Sequence, residues 1–536
     1  MTFDAIKTAI LRHFSGGARP LRDMLAVTLT AAPVAVTLAE EPASERLTPG
    51  QIAAFLTAGT MGFTAAEVAA FTTPKAWFET QAAAKPTVTN LEVKDPYGHY
   101  PDRIDLWYRA VMTGPDQLRQ KINYVLSEII VCSDLIQPEN TCPLIPYAEG
   151  TLKLALGPFR DYVRFISKSQ AMGFWLSHFR NAKSNPETGT HADQNFAREL
   201  MQLFTIGLEK LNPDGTLMLD GKGKPIPLFT QDNVEQLANV FTGWASAPNW
   251  HSGDEPFQYD SYWSAPMTAY ERFHDRSAKT IIGGVKIPSG RSAEQELDVV
   301  LDTLCNHPNC APFMSKNLIR LMTVADPTPA YVGRVSAVWS TSKGNLLEIA
   351  KAILTDPEAL DPKASKIKEP LLRQIAIFRA YNARADSGAF IDQDLQDRNR
   401  LGGQIAYGQP TVFNNFQEGR IGNLYNEASV VSIANRLGAV CQKFRDVSGN
   451  RYRGANGDRV GAGDDKDGIY IDLGRLQGLT PEQMVAELAL VFTGDKLPVS
   501  DRKTLAAAAA AISDPAQRAS ITLQTIAAFA PQGAVT

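Results

Sequence analysis

The sequence predicts a mainly α-helical protein: one large helical domain with a small β-hairpin insertion and long Gly/Asp-rich loops. Three observations carry this. Apolar residues recur at helical rather than alternating spacing through Leu118–Val131, Phe159–Phe179, Asn233–Ala245, Pro312–Met322 and Leu371–Tyr381. Helix-start signals precede several runs. Strand signals are confined to one short stretch.

Residues 1–47 read as an N-terminal extension or export segment. Met24 to Ala39 is apolar and rich in small residues, and Lys7, Arg12, Arg19 and Arg22 precede it, as in a secretory signal. Its threonines and Pro33 suit an ordinary strand or helix equally. A signal here would place the protein in the periplasm or outside the cell; without one it is cytoplasmic. The helical domain then spans 48–536. Thr48-Pro49 reads as an N-cap followed by proline at the first helical position. Thr64 with Glu67 forms a capping box, and Thr480-Pro481 with Gln483 repeats both devices. Around 212–230, Asp220-Gly221 sits between short apolar stretches and predicts the hairpin. The Gly- and Asp-rich stretch 446–472 predicts a long loop. Its GDDKDG run lacks the first and last ligands of a calcium loop. The alanines near 505–511 favour helix.

Composition narrows the function classes. The chain has 536 residues, 44% apolar and 21% charged, which is enough apolar matter for a large core. A net charge of -4 without a basic block gives no electrostatic footprint for nucleic acid. No apolar run is long enough to span a membrane. Of five cysteines, Cys132 with Cys142 and Cys305 with Cys310 could each close a small loop as a disulfide or remain thiols; Cys441 is left over. Neither pair has zinc-ligand spacing.

The most specific segment is Asp193–Leu208 (DQNFARELMQLFTIGL). Further motifs follow in order: Phe229–Ala245 ending in Thr242-Gly243-Trp244, then Phe273–Gly284 with His274-Asp275 and Lys279-Thr280, then Gly408–Phe416 (GQPTVFNNF). Together these resemble the bacterial family known as domain of unknown function 1800, from about residue 50 to near the C-terminus. The family signature usually opens Asn-Glu-Asn, whereas this chain has Asp193-Gln194-Asn195. The resemblance implies an often exported protein, with a co-exported protein as partner, and transfers no activity.

On a helix over 194–208, Asn195, Arg198, Glu199 and Gln202 share one face. That face is either a solvated arc or the wall of a cleft. In a cleft, Glu199 is the candidate acid or base, Arg198 grips an anionic group, and Asn195 and Gln202 orient substrate. Asp193 suits a cap. His274, next to Asp275, could act as a general base oriented by a carboxylate from elsewhere in the chain, or both could simply hold a turn. His191 and Asp193 with that pair could ligate a divalent metal. Trp244, Trp250 and Trp263 crowd a polar stretch with Asp254, Glu255 and Asp260. Such rings stack on sugars, or they pin a loop to the body.

Three functions follow: a hydrolase acting on a polymer such as a polysaccharide through paired carboxylates, a metal-dependent enzyme, or a non-catalytic partner of another exported protein. The absence of HExxH and of Gly-x-Ser-x-Gly disfavours a thermolysin-like site and a serine-hydrolase elbow.

Overall fold

Reciprocal caps start the helices where the sequence places them. Thr48 and Gln51 exchange hydrogen bonds to open α1 (Pro49–Gly59), and Thr64 and Glu67 open α2 (Ala65–Ala70). The computed structural model describes residues 46–88, 100–133, 144–248, 265–361, 366–388, 390, 404–415, 427–445, 451–453, 458–459 and 468–529. The expected export segment, the calcium-like run up to Asp467, Cys142 and the aromatic stretch 249–264 therefore lie outside the described residues.

Helices α3 (Pro74–Ala83) and α4 (Tyr100–Thr113) lead into α5 (Gln117–Ile129), followed by α6 (Leu144–Leu154), α7 (Phe159–Ser167) and α8 (Gln170–Trp175). The signature segment forms α9 (Asn195–Gln202), and α10 (Gln231–Val240) packs beside it. Next come α11 (Ala293–Cys305), α12 (Cys310–Met322), α13 (Pro329–Thr341) and α14 (Leu346–Leu354). Then follow α15 (Pro370–Ala380), α16 (Glu427–Gln442), α17 (Gly474–Gln477), α18 (Pro481–Thr493), α19 (Val499–Ala510) and α20 (Pro515–Phe529). One contiguous hydrophobic core joins Ile52 of α1 to Ala527 of α20. An ion-pair belt of Arg160, Arg164 and Lys168 against Glu294, Asp298 and Asp302 ties α7 to α11. These pairs are partly exposed, so each adds little.

All thirteen residues of α5 are buried, including Arg119, Gln120, Lys121, Asn123, Ser127 and Glu128. Its first half serves neighbouring backbone. Gln117 donates to the carbonyls of Val111 and Gly114 at 3.1 and 2.7 Å and accepts from Met61 N. Arg119 reaches Lys153 O at 3.1 Å, and Gln81 accepts from Leu118 N at 2.9 Å. Carbonyls left at the end of α4 are capped by Arg379, which donates to Val111 and Met112.

β-structure is sparse but more than a hairpin. Residues 208–228 form a three-limbed meander held by Lys210 N to Ile226 O, Met218 N to Lys210 O and Asp220 N to Lys224 O. The first limb begins before the hairpin expected from the sequence. Two short antiparallel pairs join β1 (Trp244–Ala245) to β2 (Thr268–Ala269) and β3 (Lys279–Thr280) to β4 (Lys286–Ile287). The stretch expected to be a loop at 446–472 is corrected. It contributes to a four-stranded sheet of β5 (Phe444–Arg445), β6 (Arg451–Arg453), β7 (Asp458–Arg459) and β8 (Ile471–Asp472), ordered β7-β6-β5-β8, with β5 and β8 parallel. Its glycines masked strands only two or three residues long, too short for alternation to show. Cys305 and Cys310 are free thiols, one ending α11 and the other starting α12.

Thr480 and Gln483 cap α18 reciprocally. Thr480→Ala removes that cap, so stability should fall by about 1 kcal/mol. Calorimetric Tm checks this; an unchanged Tm means the cap contributes nothing.

Candidate functional site

The motif segments converge on one another. His178 stacks on Phe196 of α9, with ring centroids 3.9 Å apart, and meets Phe241 edge-on. Burial pushes this histidine down to about 4, so it is neutral, and its Nε2 lies 3.1 Å from Ser167 O. Asn181 accepts from Asp193 N at 2.8 Å and accepts, through its carbonyl, from Gly243 N at 2.7 Å. Gly243 has φ 84°, and a Cβ there would lie 2.8 Å from Tyr270 O and 2.9 Å from His274 N. The Thr-Gly-Trp motif therefore needs glycine for a close approach of two chain segments.

The polar arc of α9 divides. The helix ends at Gln202, earlier than the sequence suggests. The N-cap is Gln194, which makes no side-chain cap bond, and Asp193 before it accepts from Asn195 N at 2.8 Å in a local turn. Asn195 is exposed and Gln202 half-buried. Arg198 bonds Gln231 Oε1 at 3.1 Å, while Gln231 donates to Gln194 and Glu235 at 2.8 and 3.1 Å. Gln194, where the family usually has glutamate, thus sits in an amide lattice joining α9 to α10. Glu199 turns inward and is 7% exposed. Its Oε2 has no hydrogen-bond partner, and burial raises its pKa against the opposing charge of Arg198.

Trp244 is also in the core, 1% exposed, with Lys168 Nζ 5.5 Å from its ring centroid. It presents no face to a ligand, which corrects its expected binding role. Trp250 and Trp263 lie outside the described residues.

His274 is wholly buried. Its Nδ1 lies 3.0 Å from Thr242 O, and its Nε2 faces Glu296 Oε2 at 3.4 Å. Lys279 closes the group, 3.0 Å from Glu296 Oε2, and donates to the carbonyls of Asp275 and Ser277 at 2.6 and 3.0 Å. Asp275 accepts from Ser277 N at 2.7 Å and has a lowered pKa. Its desolvation is outweighed by the Ser277 hydrogen bonds and by the charges of Lys279 and His274. The expected carboxylate partner of His274 exists, yet none of His274, Glu296 and Lys279 is open to a substrate. The group clamps the turn before β3 onto α11. His191 and Asp193 are exposed and remain apart from it. Among the described residues no group of three or more His, Cys, Asp or Glu is arranged to hold a metal ion.

A second polar centre, not anticipated from the sequence, surrounds the later half of α5. Glu128 is 2% exposed; its Oε1 accepts from Gln409 Nε2 at 3.0 Å, and Asn414 donates to its backbone carbonyl at 2.9 Å. Gln409 and Asn414 belong to the GQPTVFNNF motif, whose amides thus wrap one buried carboxyl. Tyr124, one helical turn before Glu128, donates to Glu369, which also accepts from Gln404 Nε2 at 3.2 Å. Lys121 and Lys366 are buried nearby, and Lys368 is half-buried. Desolvation pushes Glu128 up to about 8, with the charge of Glu369 adding to it and the Gln409 and Asn415 hydrogen bonds opposing. Desolvation lowers Lys366 to about 8, and desolvation with Arg373 and Lys366 alongside lowers Lys368 to about 7. Among the described residues, Glu128 Oε2, Gln409 Oε1 and Asn415 Oδ1 have no hydrogen-bond partner. Asn123, on another side of α5, donates to Tyr407 OH at 2.9 Å and lines a small cleft of about 50 Å³ with Trp107 and Gln120.

The signal for this centre was present in Leu118–Val131, where Lys121 and Glu128 share one side of the helix and Arg119 lies on the opposite side, so that the charges do not form one solvent face. Glu369 and Lys366 lie far away in sequence and gave no such signal.

The chain matches the family described as a protein of unknown function, DUF1800, over residues 46–532, and belongs to it. No curated protein and no solved structure matches the chain.

The raised pKa of Glu128 has a thermodynamic consequence. Its contribution to stability is full below the ordinary value of 4.5 and is lost as pH rises through about 8, because folding favours the protonated form. Glu128→Gln, neutral at every pH, should therefore gain in Tm over the natural protein progressively across that window. Parallel Tm curves for the two would mean that Glu128 does not titrate there.

Proposed function

We propose that this DUF1800 protein is a hydrolase in which Glu128 transfers the proton, with Glu369 and Tyr124 setting its surroundings, and that its substrate is a polymer met outside the cytoplasm. The observation that carries the reading is the set of buried polar atoms left without a protein partner around one carboxyl: Glu128 Oε2, Gln409 Oε1 and Asn415 Oδ1. Buried polar groups that serve only the fold are nearly always satisfied internally. Open acceptors beside an acid suit a water or a substrate hydroxyl.

Acid–base hydrolysis needs groups held in different protonation states near neutral pH. Glu128 and Glu369 sit in different surroundings. Glu369 takes two hydrogen bonds, from Tyr124 and Gln404. Glu128, deep in the protein and beside that charge, is held as the acid. Export is supported by the Met24–Ala39 segment, and a polysaccharide by the aromatic stretch containing Trp250 and Trp263. The pair Glu199 and aromatic-loop carboxylate is a weaker version of the same chemistry, because Glu199 has no comparable amide frame.

Reducing-end release from a panel of bacterial and plant polysaccharides tests this. Activity should fall as pH rises through about 8, where Glu128 loses its proton. Glu128→Gln should lower kcat by about a hundredfold or more while the protein remains folded. Full activity in that variant would sink the assignment.

One observation favours a second reading, a docking partner for another exported protein. Leu208, Leu217, Met218 and Leu219 of the meander are exposed by 40–55%. Scattered apolar residues are ordinary on a surface, but four in one projecting element are a candidate contact. A photo-crosslinking side chain at Leu219 should capture one specific protein in the native host; labelling by solvent alone counts against docking.

A further inference from the structure

A cavity of about 260 Å³ opens between the end of α15, strand β8 with α17, and α18, close to the start of α2. None of the motif segments reaches it. Its wall includes Tyr381, Asn382, Asp472, Arg475, Glu487 and Val491. Both signs of charge are present. Arg475 Nη2 donates to Glu487 Oε2 at 2.8 Å, and its side chain is 57% exposed, with further donors in the planar guanidinium fork. Asp472 accepts from Gly474 N at 3.0 Å through Oδ1, while Oδ2 faces Arg384 at 3.6 Å, too far for a full hydrogen bond.

A buried orphan sits in the same wall. Tyr381 is 6% exposed, and its hydroxyl has no hydrogen-bond partner. A tyrosine hydroxyl left so in a closed core would cost free energy without return. It is enclosed by protein, out of reach of a molecule in the cavity. Burial raises the pKa of this hydroxyl, and the nearby charge of Glu487 adds to the rise. Asn382 adopts φ 45°, the left-handed region that asparagine tolerates better than most residues. Asp472 N bonds Tyr381 O at 2.7 Å, which holds these two parts of the wall together. The apolar part comes from Val491, with Ala65 and Ala380.

We propose that this cavity binds a free α-amino acid with an apolar side chain. The unused N–H groups of Arg475 receive the carboxylate, in the planar geometry that guanidinium and carboxylate share. Glu487 and Asp472 receive the ammonium group. Val491, Ala65 and Ala380 face the side chain. A monoanion would meet two carboxylates, and a simple amine would leave Arg475 unmatched, so the zwitterion is the ligand that the wall selects. This site is separate from the Glu128 centre, and its test does not depend on catalysis.

Isothermal titration of the full chain with L-leucine, and separately with isopentylamine and isocaproate, reads the selection directly. These two probes lack the carboxylate and the ammonium group respectively. Leucine should bind one to one and at least tenfold more tightly than either. Arg475→Met should abolish leucine binding. If Arg475→Met does not fold, Asp472→Asn carries the same expectation of weakened binding. No heat with leucine, equal affinity for isopentylamine, or unaltered leucine binding in these variants overturns the proposal.

Discussion

A helix without a solvent face must find every hydrogen bond for its polar side chains inside the protein, and α5 imposes that demand on its neighbours. Gln117 and Arg119 reach carbonyls at the ends of α4 and α6, and Gln81 of α3 returns a bond to the α5 backbone. Lys121 and Lys366 are placed where Glu369 can oppose their burial, since Glu369 is the raising influence on both amines. A lysine or glutamate enclosed alone would shift until it was neutral. Beside Glu369, Lys366 is lowered only to about 8. The positions of α15 and of the 404–415 segment follow from what α5 needs covered.

The molecule handles buried charge in two ways. Around His274, Glu296 and Lys279 the charges oppose each other at close range, and backbone carbonyls take the remaining lysine protons. Removing one partner from such a group strands the other, which is why buried pairs are costly to break, by about 3–5 kcal/mol. That arrangement gives order at a chain crossing. Around Glu128 the accounting stays open: three acceptor atoms lack donors, and the carboxyl is shifted to a proton affinity useful near neutrality. The motif segments divide along the same line. The signature helix, Thr-Gly-Trp and His-Asp segments interlock with one another, whereas the GQPTVFNNF segment frames the acid.

Several parts of this architecture were legible from the residues. Thr48, Thr64 and Thr480 announce helix starts because a capping box is written within four consecutive residues. The helix beginning at Asn195 and the turn at Asp220 are equally local. Other readings failed for a common reason. Trp244 looked like a platform because its sequence neighbours are polar, yet β1 carries it into the core. His274 and Asp275 looked catalytic by residue type, yet the partners that decide their role are Thr242 and Glu296, the latter 22 residues away in chain order. The strands near 444–472 are too short for any periodicity to reveal them.

The sequence by itself determined the helical class, the positions of the caps, and membership of the family, because these depend on near neighbours and on ordered motifs. Tertiary structure decided which polar residues are enclosed. Burial is a property of all elements packed against a side chain, and Glu128 and Lys366 acquire their shifted proton affinities only where α5, the segment before α15 and the 404–415 segment meet. Linear spacing carries no record of that meeting, so a helix that reads as ordinary proves to hold the most unusual charges in the described fold.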